Sequence, residues 1–110
     1  MTIRDKGIFI QQLIDPIVQA LDPERVVLFG SWATGRADSD SDVDLLVIMD
    51  SELDRLERTW QVYRLVRTKR QGPLDIIVLT PTEYKNMKLG SYPLIQEIEE
   101  EGIVLYQRGG

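Results

Sequence analysis

The 110-residue chain contains no cysteine and no histidine. Those absences exclude disulfides, thiolate nucleophiles, zinc sites of the Cys/His kind and every acid–base mechanism built on imidazole. Carboxylates, hydroxyls, lysine and arginine remain for catalysis. Oxygen donors without sulfur or imidazole favour hard cations such as Mg²⁺, Mn²⁺ or Ca²⁺. No apolar run approaches the roughly 18–20 residues needed to cross a bilayer. The N-terminus, Met1-Thr2-Ile3-Arg4-Asp5-Lys6, lacks the apolar core of a signal peptide. A cytoplasmic protein without a membrane partner is expected. The net charge of −5 argues against broad electrostatic binding to nucleic acid, although metal ions in an acidic site would still admit a nucleotide. Residues 1–110 are expected to form a single domain, and 43% hydrophobic content is enough for a real core.

Patterning then divides the chain into elements. Residues 5–21 carry Phe9, Leu13, Ile14, Ile17 and Leu21 at helical spacing, interrupted by Pro16, where a kink or a restart capped by Asp15 is expected. After the turn Asp22-Pro23-Glu24, residues 25–29 read as a buried strand, 31–37 as a short helix and 42–49 as a second strand. Ser51 and Asp54 resemble a capping box opening a helix whose inward face would be Leu53, Leu56, Trp60 and Tyr63. Gln71-Gly72-Pro73 would end that helix before a third strand over 74–79. Thr80-Pro81-Thr82-Glu83 is a further capping box with proline at the first turn. Residues 91–101 read as a last helix with Leu94, Ile95 and Ile98 inward, stopped by Gly102 before a short edge strand over 103–106. Apolar strands alternating with helices predict an α/β (α+β) fold in which helices cover a small sheet of about four strands.

One spacing carries the chemistry. Gly30-Ser31 follows the apolar run Val26 to Phe29, and a glycine and hydroxyl at a strand end present backbone N–H groups to an anion. Ten residues on, Asp42 and Asp44 open the next apolar run; two positions apart on a strand, roughly 6.5–7 Å, they share a face. Asp75 opens another apolar strand. Three acids brought together repel unless a cation sits among them, and such a site can hold ions that polarise a phosphoryl oxygen and clamp a leaving pyrophosphate. The plainer reading leaves the carboxylates at strand mouths, capping loop N–H groups. An EF-hand does not fit. Counted from Asp38, the glycine and closing glutamate positions hold Val43 and Met49; counted from Asp40, they hold Leu45 and Ser51. Asp38 and Asp40 read as solvated loop residues.

The stretches Leu28-Phe29-Gly30-Ser31-Trp32-Ala33-Thr34-Gly35-Arg36-Ala37 and Ser41-Asp42-Val43-Asp44-Leu45-Leu46-Val47 resemble the DNA polymerase beta-like nucleotidyltransferase superfamily. Within it they are similar to the minimal nucleotidyltransferases, often antitoxins of HEPN-domain ribonuclease toxins. The resemblance implies a polymerase beta-like nucleotidyltransferase fold, with Asp42 and Asp44 binding two Mg²⁺ (or Mn²⁺) ions. Asp75 would be third ligand and base, and Gly30 and Ser31 would hold the terminal phosphates of ATP or another NTP. It further implies AMP transfer to a hydroxyl, in the antitoxin branch a tyrosine of the toxin. One departure is Thr34, where many small members carry arginine; Arg36 stands two residues on. A counterpart of the larger relatives' acceptor-binding domain is not expected here, so another protein or a homo-oligomer would supply that surface. Arg55, Arg58, Arg64, Arg67, Lys69 and Arg70 read as a solvated face suited to a helix C-terminus, or as a docking surface for an acidic partner or RNA. Trp60 reads as core. Trp32 is open between core and nucleobase platform.

Overall fold

The computed structural model describes residues 3–38, 41–67 and 73–109. Helix α1 (Ile3–Leu21) leads into β1 (Arg25–Phe29), the single turn α2 (Ser31–Thr34) and β2 (Val43–Ile48). Then come α3 (Arg55–Val66), β3 (Leu74–Leu79), α4 (Pro81–Leu89), α5 (Pro93–Glu101) and β4 (Ile103–Gln107). The strands form one sheet in the order β3-β2-β1-β4. β1 pairs antiparallel with both β2 and β4, whereas β2 and β3 run parallel. The α/β expectation of a small mixed sheet flanked by helices is met.

Strand alternation divides the core in two. Val26, Leu28, Leu45, Val47, Ile76 and Val78 face α1 and α3, meeting Leu13, Ile14, Ile17, Val62 and Val66. Val27, Phe29, Leu46, Ile48 and Leu79 face α4 and α5, meeting Tyr84, Ile95 and Ile98. Each of these side chains contributes roughly 1.5–3 kcal/mol of transfer free energy when fully buried, so both faces need their helical cover.

Several boundaries differ from expectation. α1 passes through Pro16 without restarting at an Asp15 cap. Gln12, whose carbonyl loses its partner at Pro16, is solvent-exposed, so water can satisfy it. α2 ends at Thr34 rather than residue 37 because Gly35, at φ 79°, turns left-handed and closes it. β2 begins at Val43, leaving Asp42 in the preceding loop. α5 begins at Pro93 rather than Ser91, with Tyr92 as its cap residue. Gly102 stops it as expected, for a packing reason: a Cβ there would stand 2.5 Å from the Ile98 carbonyl oxygen. The Thr80–Glu83 capping box is present with both reciprocal bonds.

The largest correction concerns α3. Ser51 does not cap it; its hydroxyl accepts from Leu53 N–H, and Asp54 is the cap, accepting from Glu57 N–H at 2.8 Å. Lys69, Arg70, Gln71 and Gly72 lie outside the described residues. The fully buried face is Arg58, Val62 and Val66; of the expected stripe Tyr63 packs partly buried against the core, whereas Leu53, Leu56 and Trp60 are exposed. Leu56 is 68% exposed and Trp60 57%, so the Trp60 core assignment fails. Polar contacts set this rotation. Arg58, 3% exposed, donates from Nη2 to Glu83 Oε2 at 2.8 Å. Tyr63 Oη donates to the Leu74 carbonyl at 3.1 Å and accepts from Ile76 N–H at 3.0 Å. Turning the helix to bury Trp60 would break both sets of bonds, and a buried guanidinium without its carboxylate is costly. The solvated basic face is therefore corrected at Arg58, which is an internal tie between α3 and α4.

The hydrogen bond from Arg58 holds Glu83 below its ordinary 4.5. A depressed carboxylate stabilises the fold fully above the unfolded value and loses that contribution as pH falls through the folded one. Glu83→Gln should cost about 2 kcal/mol at pH 7, below the usual figure for a buried pair because Glu83 is partly exposed. Urea denaturation should show the gap to wild type closing as pH drops below 4.5.

Candidate active site

Three strand ends meet at one end of the sheet. β1 finishes at Phe29, opposite Asp44, and Asp44 in turn pairs in register with Asp75 on the parallel β3. By strand alternation Asp44 follows Leu46 and Ile48, and Asp75 follows Ile77 and Leu79, onto the sheet face covered by α4 and α5. Asp44 is partly buried, whereas Asp42 and Asp75 are exposed.

Gly30 and Ser31, the residues expected to cradle phosphate, adjoin this carboxylate. Gly30 has φ 75° and ψ −154°, a conformation open to glycine, and a Cβ at this position would overlap Asp44 Oδ2. The glycine therefore admits the carboxylate against the main chain. The Gly30 carbonyl accepts from Ala33 N–H at 3.1 Å and Thr34 N–H at 3.2 Å, and the Ser31 carbonyl accepts from Arg36 N–H at 3.1 Å. Thr34 Oγ1 points back onto the same turn, donating to the Ser31 carbonyl at 3.4 Å.

The loop before Asp42 is anchored twice. Trp32 Nε1 donates to the Ser41 carbonyl at 3.1 Å, and the indole packs against the core beneath α1 and α3. This resolves the choice left by the sequence: the ring is a packed brace for the Asp42 loop. Ser41 Oγ accepts from Asp38 N–H at 3.0 Å and donates to Asp38 Oδ1 at 3.3 Å, with Asp38 itself exposed as expected. Asp40 lies outside the described residues.

Burial, followed by the charges of Asp75, Asp42 and Glu97, holds the Asp44 carboxyl above its ordinary 3.8. The sequence-predicted acids thus sense one another, and Glu97 on α5 joins them without having been singled out by any motif. Their placement is looser than a finished cation cage: among the described residues no three acidic side chains form a group that could hold a metal ion. The donor set nevertheless suits a hard cation in kind, being carboxylate oxygens whose mutual repulsion a divalent ion would relieve.

Tyr63, expected on the inward face, is partly buried there and also supports the site through a polar contact. Its hydroxyl grips the backbone immediately before and after Asp75, blunting the outer edge of β3 and fixing the direction of that carboxylate. No local sequence signal marks this bond, since its partners lie on a different element.

Two outcomes follow from this geometry. A raised carboxyl pKa means ionisation costs folding free energy, so Asp44→Asn should melt higher than wild type at pH 7 without divalent ions. That advantage should vanish below the ordinary 3.8, where both side chains are neutral. Gly30→Ala should lower stability by about 1–2 kcal/mol from the left-handed backbone alone, and further through displacement of Asp44. Thermal melts across pH check the first and urea titration the second.

Comparison with known proteins agrees with this geometry. Residues 10–106 match the nucleotidyltransferase domain family. The chain is 32% identical over 80 residues to a Methanocaldococcus jannaschii protein named as a protein adenylyltransferase, covering 73% of this chain and 76% of that one. Its fold is similar to that of a nucleotidyltransferase from Sulfolobus solfataricus, with a TM-score of 0.61, 21% identity and coverage of 91% and 78% of the two chains. It is also similar to a toxin–antitoxin structure with AMP-PNP, with a TM-score of 0.62, 21% identity and coverage of 90% and 74%. An MntA-HpeT toxin–antitoxin structure gives a TM-score of 0.58 at 21% identity, covering 96% of this chain and 73% of that one. The family match over most of the chain, with Gly30, Asp44 and Asp75 at one sheet end, means that this protein belongs to the nucleotidyltransferase domain family and is a nucleotidyltransferase.

Proposed function

We propose that the chain transfers a nucleoside monophosphate, AMP from ATP, to a hydroxyl of a partner protein, as the antitoxin of a toxin–antitoxin pair whose toxin is a HEPN-domain protein. The observation that carries this reading is the contact of the Gly30 backbone with Asp44 beside an in-register Asp75. The adenylyltransferase name of the archaeal relative supports AMP as the transferred group, and the toxin–antitoxin neighbours support the partner class.

In this mechanism Gly30 and Ser31 hold the terminal phosphates over the end of β1. Asp42 and Asp44, with Asp75 as third donor, are the residues that would hold Mg²⁺ or Mn²⁺, which supplies charge neutralisation at the phosphates. The acceptor hydroxyl approaches from the β3 side, where Asp75 takes its proton. The hydroxyl oxygen bonds to the α-phosphorus, and the bond from that phosphorus to the bridging oxygen breaks, releasing pyrophosphate. Tyr63 keeps Asp75 aimed by holding the backbone on both sides of it.

A second reading is an antitoxin acting by association, with nucleotide binding but no transfer. It is favoured by Thr34, whose hydroxyl is turned onto the α2 backbone, at the position where the family resemblance implies an arginine. Incubation with labelled ATP, Mg²⁺ and the partner toxin separates the two. Wild type should label the toxin, and the double variant Asp42→Asn with Asp44→Asn should lose at least a hundredfold in rate. No transfer with any NTP or divalent metal, together with full protection of cells by the double variant, would establish the association mechanism instead.

A further inference from the structure

Among the described residues the outer face of α3 carries an uncovered apolar stripe, with acidic residues toward its N-terminal end and basic residues toward its C-terminal end. Leu53, just ahead of the Asp54 cap, and Leu56 and Trp60 on the helix are 40%, 68% and 57% exposed, and Arg64 and Arg67 continue the same side. Contiguous exposed apolar surface of this kind marks an interaction site, and tryptophan, tyrosine and arginine are the residues that dominate interface energetics. A groove of about 330 Å³ runs beside the stripe between Leu56, Thr59, Trp60, Tyr63 and Leu74. Acidic residues, Glu52, Asp54 and Glu57, occupy the N-terminal end, and Arg64 and Arg67 the C-terminal end. Among the described residues the Glu57 carboxylate and the Arg64 and Arg67 guanidinium groups have no ion-pair partner.

This pattern is complementary to itself. Two copies of α3 laid antiparallel about a two-fold axis between Trp60 and Gln61 place Glu57 opposite Arg64 of the other copy, and Asp54 opposite Arg67. Both pairs form twice, as an isologous interface requires. Leu56 and Trp60, four apart on the helix, form the seam between them, with Leu53 flanking it ahead of the Asp54 cap. Each Trp60 enters the other copy's groove, and the opposed helix dipoles add a favourable term. We infer that the outer face of α3 is a homodimer seam, occupied by α3 of a second copy of this chain. This assignment is independent of the reaction catalysed. A seam of one helix per copy lies at the small end of specific interfaces, so the dimer should form reversibly, on the order of tens of micromolar.

Analytical ultracentrifugation of the full chain, alone, from about 1 to about 500 μM, a range that brackets that affinity, tests this inference. Wild type should show a concentration-dependent dimer. Glu57→Arg and Arg64→Glu, both on exposed positions, should each weaken self-association at least tenfold while circular dichroism stays that of wild type. Mixing these two single variants should recover association as a heterodimer, because both crossing pairs between positions 57 and 64 then again join one acid to one base. The chain carrying both reversals together should recover as well. A chain monomeric throughout this range would overturn the assignment, including when a toxin partner is found to cover Trp60. A dimer indifferent to the single charge reversals, or variants that fail to recover on mixing, would overturn it too.

Discussion

Asp44 lies against the Gly30 main chain because β1 and β2 pair antiparallel with Phe29 opposite Asp44. This pairing controls much of the structure. It ends β1 just before Gly30-Ser31 and places a partly buried carboxylate against that turn. It also demands a residue without Cβ at the crossing. The parallel partner β3 then delivers Asp75 to the same end. A parallel pair requires a long crossover, and the chain spends α3 on it.

That crossover helix answers to two environments. Inward, Val62 and Val66 complete the core, Arg58 ties α3 to the cap of α4 through Glu83, and Tyr63 braces the strand carrying Asp75. Outward, α3 keeps Leu56 and Trp60 in solvent. Burying those side chains would have gained a few kcal/mol of apolar transfer. An unpaired buried guanidinium and the lost backbone bonds of β3 would cost at least as much. The helix rotates accordingly, and an apolar stripe is left for another surface to cover.

The electrostatics of the site fit a machine that is incomplete by itself. Asp44 is held above its ordinary value by burial and by Asp75, Asp42 and Glu97, so the protein stores desolvation and repulsion at this end of the sheet. A partly buried carboxylate that costs folding free energy is the usual trade of stability for function. The acidic α5, contributing Glu97, brings further negative charge to the same face.

Strands and caps were legible in the chain because their causes are local. The apolar runs of β1, β2 and β3 can be satisfied only between two helical layers, and the Thr80–Glu83 box closes on itself within four residues. The Gly30-Ser31 and Asp42/Asp44 spacing is local in the same sense, and it is enough to point to the nucleotidyltransferase family. Tertiary structure decided what depends on partners far along the chain. Helical periodicity could not choose between two apolar faces of α3, because the deciding contacts, Glu83 for Arg58 and the β3 backbone for Tyr63, lie 11–25 residues away. The same reason left the role of Trp32 and the contribution of Glu97 to the fold: each depends on a neighbour in space that sequence spacing does not supply.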